Sequence, residues 1–176
     1  MAKRGTTSLL NFSADVTRMV EDFDRETDRG VALLAAAFLY DVLDVMLRAV
    51  MVNEPEAVNR LMGTGRALES FGARTHLAYC MGLLGRDVYH DVNLIREIRN
   101  DFAHRQPTSF EAEEIRGKCQ RLKAAATVMA DAGCTARERF VATVVMLANH
   151  LIVTTGELKH AVCAKDFAVN GVLRLK

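Results

Sequence analysis

The sequence predicts an all-α protein, a single-domain antiparallel bundle of about five to seven helices. Three observations predict it. Apolar residues recur at helical spacing through most of the chain, and no segment alternates convincingly with period two. Residues that cap helices stand where the apolar-periodic runs begin. The run from Val31 to Tyr40 is apolar on every side, which marks a helix buried at the centre of a bundle.

Taken in order, the first helix is expected to open near Ser13, where Val16, Met19, Val20 and Phe23 recur at helical spacing behind a capping residue. The second follows Asp28, read as its cap, and continues through RGVALLAAAFLYDVLDVMLRAVMV; Asp41, Asp44 and Arg48 interrupt its apolar run too soon for it to span a bilayer. A short helix after Pro55 uses proline at a first turn, where its missing N–H costs nothing. ALESFGARTHLAYCMGLL is then read as a helix ended by Gly85, and DVYHDVNLIREIRNDFAH as one opened by Asp87 and closed before Pro107. Capping boxes are expected at Thr108 with Glu111 and at Thr135 with Glu138, each pair three residues apart as the reciprocal hydrogen bonds require. The last of these opens a C-terminal helix over about 135–160, packed on the preceding core.

Composition narrows the function classes. A chain of 176 residues, 50% of them hydrophobic, is long enough for one core, so residues 1–176 are read as one domain. Only 2 prolines and no low-complexity segment argue against linkers or disordered arms. A net charge of +1 gives no global field toward nucleic acid or membrane, so any nucleic-acid contact needs a local patch. The 4 cysteines, Cys80, Cys119, Cys134 and Cys163, form no CxxC pair, which suits a reduced cytoplasmic protein better than a disulfide framework or zinc site. The start, MAKRGTTSLLNF, lacks the apolar run of a signal peptide. His76, His90 and His160 have no ligand partner at metal spacing, so neither metal nor cofactor is expected; His150 is placed on a solvated polar face near Arg139 and Thr143. GTGRALES is not a phosphate loop, since no strand precedes it.

IREIRNDFAH, residues 95–104, concentrates the chemistry. At about 100° per residue, Val88, Val92, Ile95, Ile98 and Phe102 form one core-facing stripe, and Arg99 falls inside it. A guanidinium there needs a partner, because an unpaired buried charge costs several kcal/mol. It is either a strut to Glu26, Asp28, Asp41 or Asp44, or a residue of a cleft or subunit interface. His104 lies about 140° around the helix from Arg99, so the two converge only if the last turn unwinds or a second subunit supplies one of them. Asn100 shares the face of His104 and is placed to orient its imidazole. The bland reading of His104 is a helix-end residue favoured by the dipole.

The stretches ETDRGVALLAAAFLYDVLDVML, ESFGARTHLAYCMGLL and DVNLIREIRNDFAH follow one another in an order and spacing that resemble the mannitol operon repressor family of bacteria. The resemblance covers about residues 15–125 and leaves out MAKRGTTSLLNF and the final NGVLRLK. Where that family often has a Pro-Leu-Gly-Ser-Phe run, this chain reads ALESF, with Glu69 in place of glycine. The resemblance implies an all-helical transcriptional regulator of mannitol utilisation. Asp28, Arg29, Gly30, Arg74 and Arg99 are the candidates for structural or partner-binding roles.

Arg99-Asn100-x-x-x-His104 also resembles the R-N-x-x-x-H signature of HEPN domains, helical bundles that often dimerise and in some lineages cut RNA without metal. That likeness implies a homodimer in which Arg99 stabilises phosphate charge, His104 is general acid or base, and Asn100 positions it.

Ala78, Gly82 and Val88 have the offsets of a helix-turn-helix, but Asp91 occupies a position that should pack inside, and a break at Gly85 comes about three residues late. No basic face is evident either, which argues against direct reading of DNA bases. The sequence therefore points to a regulator working through a protein partner, with a ribonuclease and a purely structural dimer as the competing classes.

Overall fold

A computed structural model of the chain describes residues 18–105, 108–126 and 133–163. Eight helical segments and no strand lie among them: α1 (18–25), α2 (Asp28–Val50), α3 (Pro55–Met62), α4 (Phe71–Cys80), α5 (Arg86–His104), α6 (Glu113–Gln120), the single turn α7 (Lys123–Ala126), and α8 (Ala136–Glu157). The all-α class holds, with one single-turn segment more than the upper helix count. The expected start near Ser13 lies outside the described residues, as do Val16 and Pro107.

Local chemistry explains most of the boundaries. Pro55 occupies the first turn of α3. Thr135 and Glu138 form the expected capping box, each side chain accepting from the other's backbone N–H. The second expected box is absent: α6 opens at Ala112 without a side-chain cap, and the Thr108 hydroxyl instead donates to the Arg105 carbonyl. Its place is taken by tertiary structure, because the Phe110 N–H donates to Asp28 at 2.9 Å, and that bond holds the loop against α2. Asp28 is accordingly not the cap of α2. Thr27 is, its hydroxyl accepting from Gly30, while Asp28 sits in the first helical turn.

The α4–α5 corner also differs from expectation. Ser70 caps α4, and the left-handed residue that ends it is Gly82 at φ +74, not Gly85. Leu83 N–H reaches back to the Ala78 carbonyl and Gly82 N–H to Tyr79, a Schellman closure. Gly85 in turn is the cap of α5, and Asp87 lies within its first turn. The break thus falls at Gly82, where a helix-turn-helix would have it. Yet Met81, which that motif would bury, is 45% exposed, and Asp91 is buried for another purpose, described below. Gly82→Ala is expected to cost about 1 kcal/mol, because an L-residue resists the left-handed region; urea unfolding monitored by helical circular dichroism measures it, and an unchanged midpoint refutes it.

The core is a three-helix contact. α2 packs most extensively on α8 and α5. Leu39, Leu43, Met46 and Leu47 of α2 meet Ile95 and Ile98 of α5 and Val144 and Leu151 of α8, all fully buried. Phe110 bridges Phe102 and Phe140 at ring distances of 4.9 and 5.1 Å, tying the loop before α6 into the same core. α2 is not buried on every side: Leu34 is 44% exposed and Ala37 is exposed too, since that face lines two open cavities. By length and mean hydropathy alone α2 and α8 could each cross a membrane, contrary to the reading of α2 as too short. In the fold, half of the apolar window of α2 is buried against its neighbours.

Two polar joints close the bundle. Arg137 donates to Asp28 at 2.6 Å and to the carbonyls of Phe23 and Glu26 at 2.7 Å, which clamps the start of α8 to the α1–α2 turn. Asp91 is 1% exposed, and its carboxylate accepts from the N–H groups of Lys123 at 3.0 Å and Ala124 at 2.8 Å, so a side chain of α5 caps α7.

α6 carries two groups that titrate in alkali. Burial pushes the Cys119 thiol up to about 12, with Arg139 pulling the other way. Burial works against charge on Lys118, but Asp101 and Glu114 outweigh it and raise its pKa. Both shifts are upward, so each group's contribution to stability is complete below its unfolded pKa and is lost as pH rises through the folded one. Resistance to urea is expected to fall between about pH 9 and 12, less so in Cys119→Ala. In the native protein at neutral pH, Cys80 and Cys163, both exposed, should react with Ellman's reagent while Cys119 reacts only after unfolding. Prompt modification of Cys119 would contradict its burial.

Candidate functional site

The sequence left Arg99 with a choice between strut and cleft, and the structure places it in a cleft. Arg99 is half-buried at the edge of the core-facing stripe of α5, about 40° around the helix from Ile95. None of the four proposed acids reaches it. Its guanidinium donates to the Oδ1 of Asn100 at 3.1 Å, and no carboxylate pairs with it among the described residues.

The buried strut is Arg74 instead, at 3% exposure. Its Nε donates to the Leu68 carbonyl at 2.7 Å and its Nη2 to the Met62 carbonyl at 2.8 Å, while Nη1 pairs with Asp44 at 3.0 Å. The guanidinium also lies 4.0 Å from the centroid of the Tyr40 ring. Asp44 is shared with Arg48 at 2.6 Å. Burial, then the charge of Asp44, push the neighbouring Asp41 carboxyl above its usual range, with Arg74 opposing them.

The cleft is a cavity of about 480 Å³ between α2, α5 and the start of α4. α2 contributes an apolar wall of Leu33, Ala36, Ala37 and Tyr40. α4 contributes its first residues, Ser70, Phe71 and Gly72. α5 contributes Arg96, Arg99 and Asn100, which share one flank because they stand three and four residues apart. Tyr40 is fixed by its hydroxyl, which donates to the Glu69 carbonyl at 2.9 Å, and by an edge-on contact with Phe71.

Arg96 was not singled out in the sequence, although its i, i+3 and i+4 relation to Arg99 and Asn100 is the signal that would have found it. Its guanidinium lies over Gly72, where an added Cβ would be 3.6 Å from Nη1. The Nε of Arg96 is buried and has no hydrogen-bond partner, and Nη2 reaches only the Asn93 Oδ1, at 3.5 Å. Two cations therefore line one cavity with no acidic residue in its wall.

His104 is elsewhere. α5 stays regular through His104, so the unwinding that would let it meet Arg99 within one chain does not occur, and His104 is exposed at the helix end. The side-chain oxygen of Asn100 is engaged by Arg99, so Asn100 orients the arginine in this chain. Arg29 donates to the Ala103 carbonyl at 3.0 Å, fastening the start of α2 to the last turn of α5. Gly30 packs against the Glu26 side chain. Asp28, Arg29 and Gly30 thus form a joint between helix ends.

Three other histidines have hydrogen-bond partners: His76 the Tyr89 hydroxyl at 2.7 Å, His90 Asp91 at 2.9 Å, and His160 the Met51 carbonyl at 2.8 Å. His150 is exposed, but Arg139 and Thr143, expected on the same solvated face, are buried. No group of three or more His, Cys, Asp or Glu side chains that could hold a metal gathers among the described residues.

Neither a scan against protein-family models nor a search of curated proteins gave a match. Among solved structures, the chain is similar to a chain of the X-ray structure of the MtlR–HPr complex from Escherichia coli, with a TM-score of 0.66 and 20% sequence identity, over 81% of this chain and 99% of that one. The fold is therefore MtlR-like, which agrees with the resemblance read from three sequence blocks.

Proposed function

We propose that this protein is a regulatory module of the mannitol-operon regulator type, which works by binding a protein partner and neither cuts RNA nor reads DNA bases itself. The observation that carries this reading is the length over which its fold coincides with MtlR, itself known in complex with HPr. The regular end of α5 keeps Arg99 and His104 apart within one chain, so a ribonuclease site would need a second subunit to bring them together. Engagement of Asp91 in capping α7 favours the partner-binding reading over a recognition helix at the start of α5, because a side chain committed to the interior cannot be offered to a groove.

HPr, or an HPr-like protein of the same cell, is the partner to test, in the cytoplasm where both would meet, and a homodimer is the proposed form of the module. Titration calorimetry of the purified chain with HPr should give a saturable complex in the micromolar range, equivalent to about −8 kcal/mol. Light scattering of the same sample reads the oligomeric state. Absence of heat and of co-elution at about tenfold higher concentration overturns the partner reading. Metal-independent cleavage of RNA that disappears in both His104→Ala and Arg99→Ala would overturn it in favour of the enzyme.

A further inference from the structure

We propose that the cavity between α2, α4 and α5 is a binding site for a small phosphate monoester, held by Arg96 and Arg99. Two guanidinium groups line this cavity and no carboxylate among the described residues pairs with either. Three other buried or half-buried arginines are held by close oxygens: Arg74 by Asp44, Arg137 by Asp28, and Arg29 by the Ala103 carbonyl. The Nε of Arg96 is buried without a hydrogen-bond partner, which costs free energy unless a ligand supplies an acceptor.

The geometry suits an oxyanion. Guanidinium forks match the tetrahedral oxygens of phosphate, and Arg96 and Arg99 approach from one flank of α5. The start of α4 adds to the field. Ser70 engages the N–H groups of Ala73 and Arg74 through its hydroxyl and its carbonyl, while those of Phe71 and Gly72 remain available at a helix N-terminus. A Cβ added at Gly72 would meet the Arg96 guanidinium at 3.6 Å, an ordinary contact, so only a side chain reaching past Cβ would press on it.

Opposite the cations, the wall of α2 is apolar and is closed by Tyr40 and Phe71. A cavity of about 480 Å³ falls within the range of small-molecule sites and admits an organic body as well as the phosphate. A monoester therefore fits better than the free ion: the phosphate meets the arginines, and the body lies along Leu33, Ala36 and Ala37. The site is independent of the protein-partner reading, because its ligand is a small molecule and its residues need no second chain.

Titration calorimetry and thermal melting of the full chain, with glycerol 3-phosphate and glucose 6-phosphate as probes and glycerol and glucose as neutral controls, test the proposal. The phosphates are expected to bind saturably and raise the melting temperature, and the neutral compounds to do neither. Arg96→Met and Arg99→Met should each weaken binding roughly tenfold, as loss of one charge-assisted contact does. Should either variant fail to fold, proton–nitrogen spectra of the wild-type protein serve in its place, since the Nε–H signal of Arg96 should move on adding phosphate ester and not on adding the neutral compound. No binding of either ester at millimolar concentration, binding that survives both folded variants, or an Arg96 signal that does not move overturns the proposal. A failure here leaves HPr binding untouched, and the converse also holds.

Discussion

Replacing Arg74 with alanine is expected to lower the unfolding free energy by about 3 kcal/mol or more. Arg74 is 3% exposed and is held by two backbone carbonyls, a carboxylate and an aromatic face. Asp44 is 24% exposed, so water screens part of that ion pair, and the two carbonyl bonds carry more of the effect. Truncation leaves the carbonyls of Leu68 and Met62 facing an empty space, at about 1–3 kcal/mol for each acceptor left unsatisfied. Arg74→Lys should recover only part of the loss, because an ammonium cannot address three acceptors in the plane of a fork. Urea unfolding with linear extrapolation gives the values. A loss below about 1 kcal/mol for Arg74→Ala would mean that the loop over residues 63–70 repacks around the gap.

Asp91→Ala is expected to cost about 2–4 kcal/mol, by a different route. Its carboxylate accepts from the N–H groups of Lys123 and Ala124. α7 is one turn long and has no cooperative length of its own, so it depends on that cap and on the burial of Leu122 and Ala125 beside it. Asp91→Asn keeps one oxygen in place and should cost less than half as much. Hydrogen exchange localises the effect. The amides of Lys123 and Ala124 should lose protection in Asp91→Ala while those of α2 keep theirs, and uniform loss across the bundle would show that α7 does not open separately.

Both residues illustrate what a single sequence leaves undecided. Arg99 was legible as a problem because its place on the stripe of α5 follows from spacing alone. Its solution was not legible, since a few tens of degrees separate the centre of a buried stripe from its edge, and the neighbouring helices decide which side chains cover that edge. Arg74 sits in a short segment whose periodicity marks it no more strongly than its neighbours. It becomes a strut because Asp44 of α2 and the turn after α3 converge on it. The helix-turn-helix pattern shows the opposite failure: Gly82 does turn the chain at the expected place, but the burial of Asp91 against α7 and the exposure of Met81 give the corner another use.

The sequence by itself determined the helical class, the proline start of α3, the Thr135–Glu138 box of α8 and the buried stripe of α5. These depend on residues three and four apart, and such relations are set by the helix before any tertiary contact forms. Only the tertiary structure decided which arginine is buried, which carboxylate caps which helix, and that Arg96 and Arg99 share a cavity with the start of α4. Those pairings join residues 32 positions apart for Asp91 and Lys123, and 109 apart for Asp28 and Arg137. Long polar side chains find their partners through the angles at which whole helices cross, and no local pattern encodes those angles.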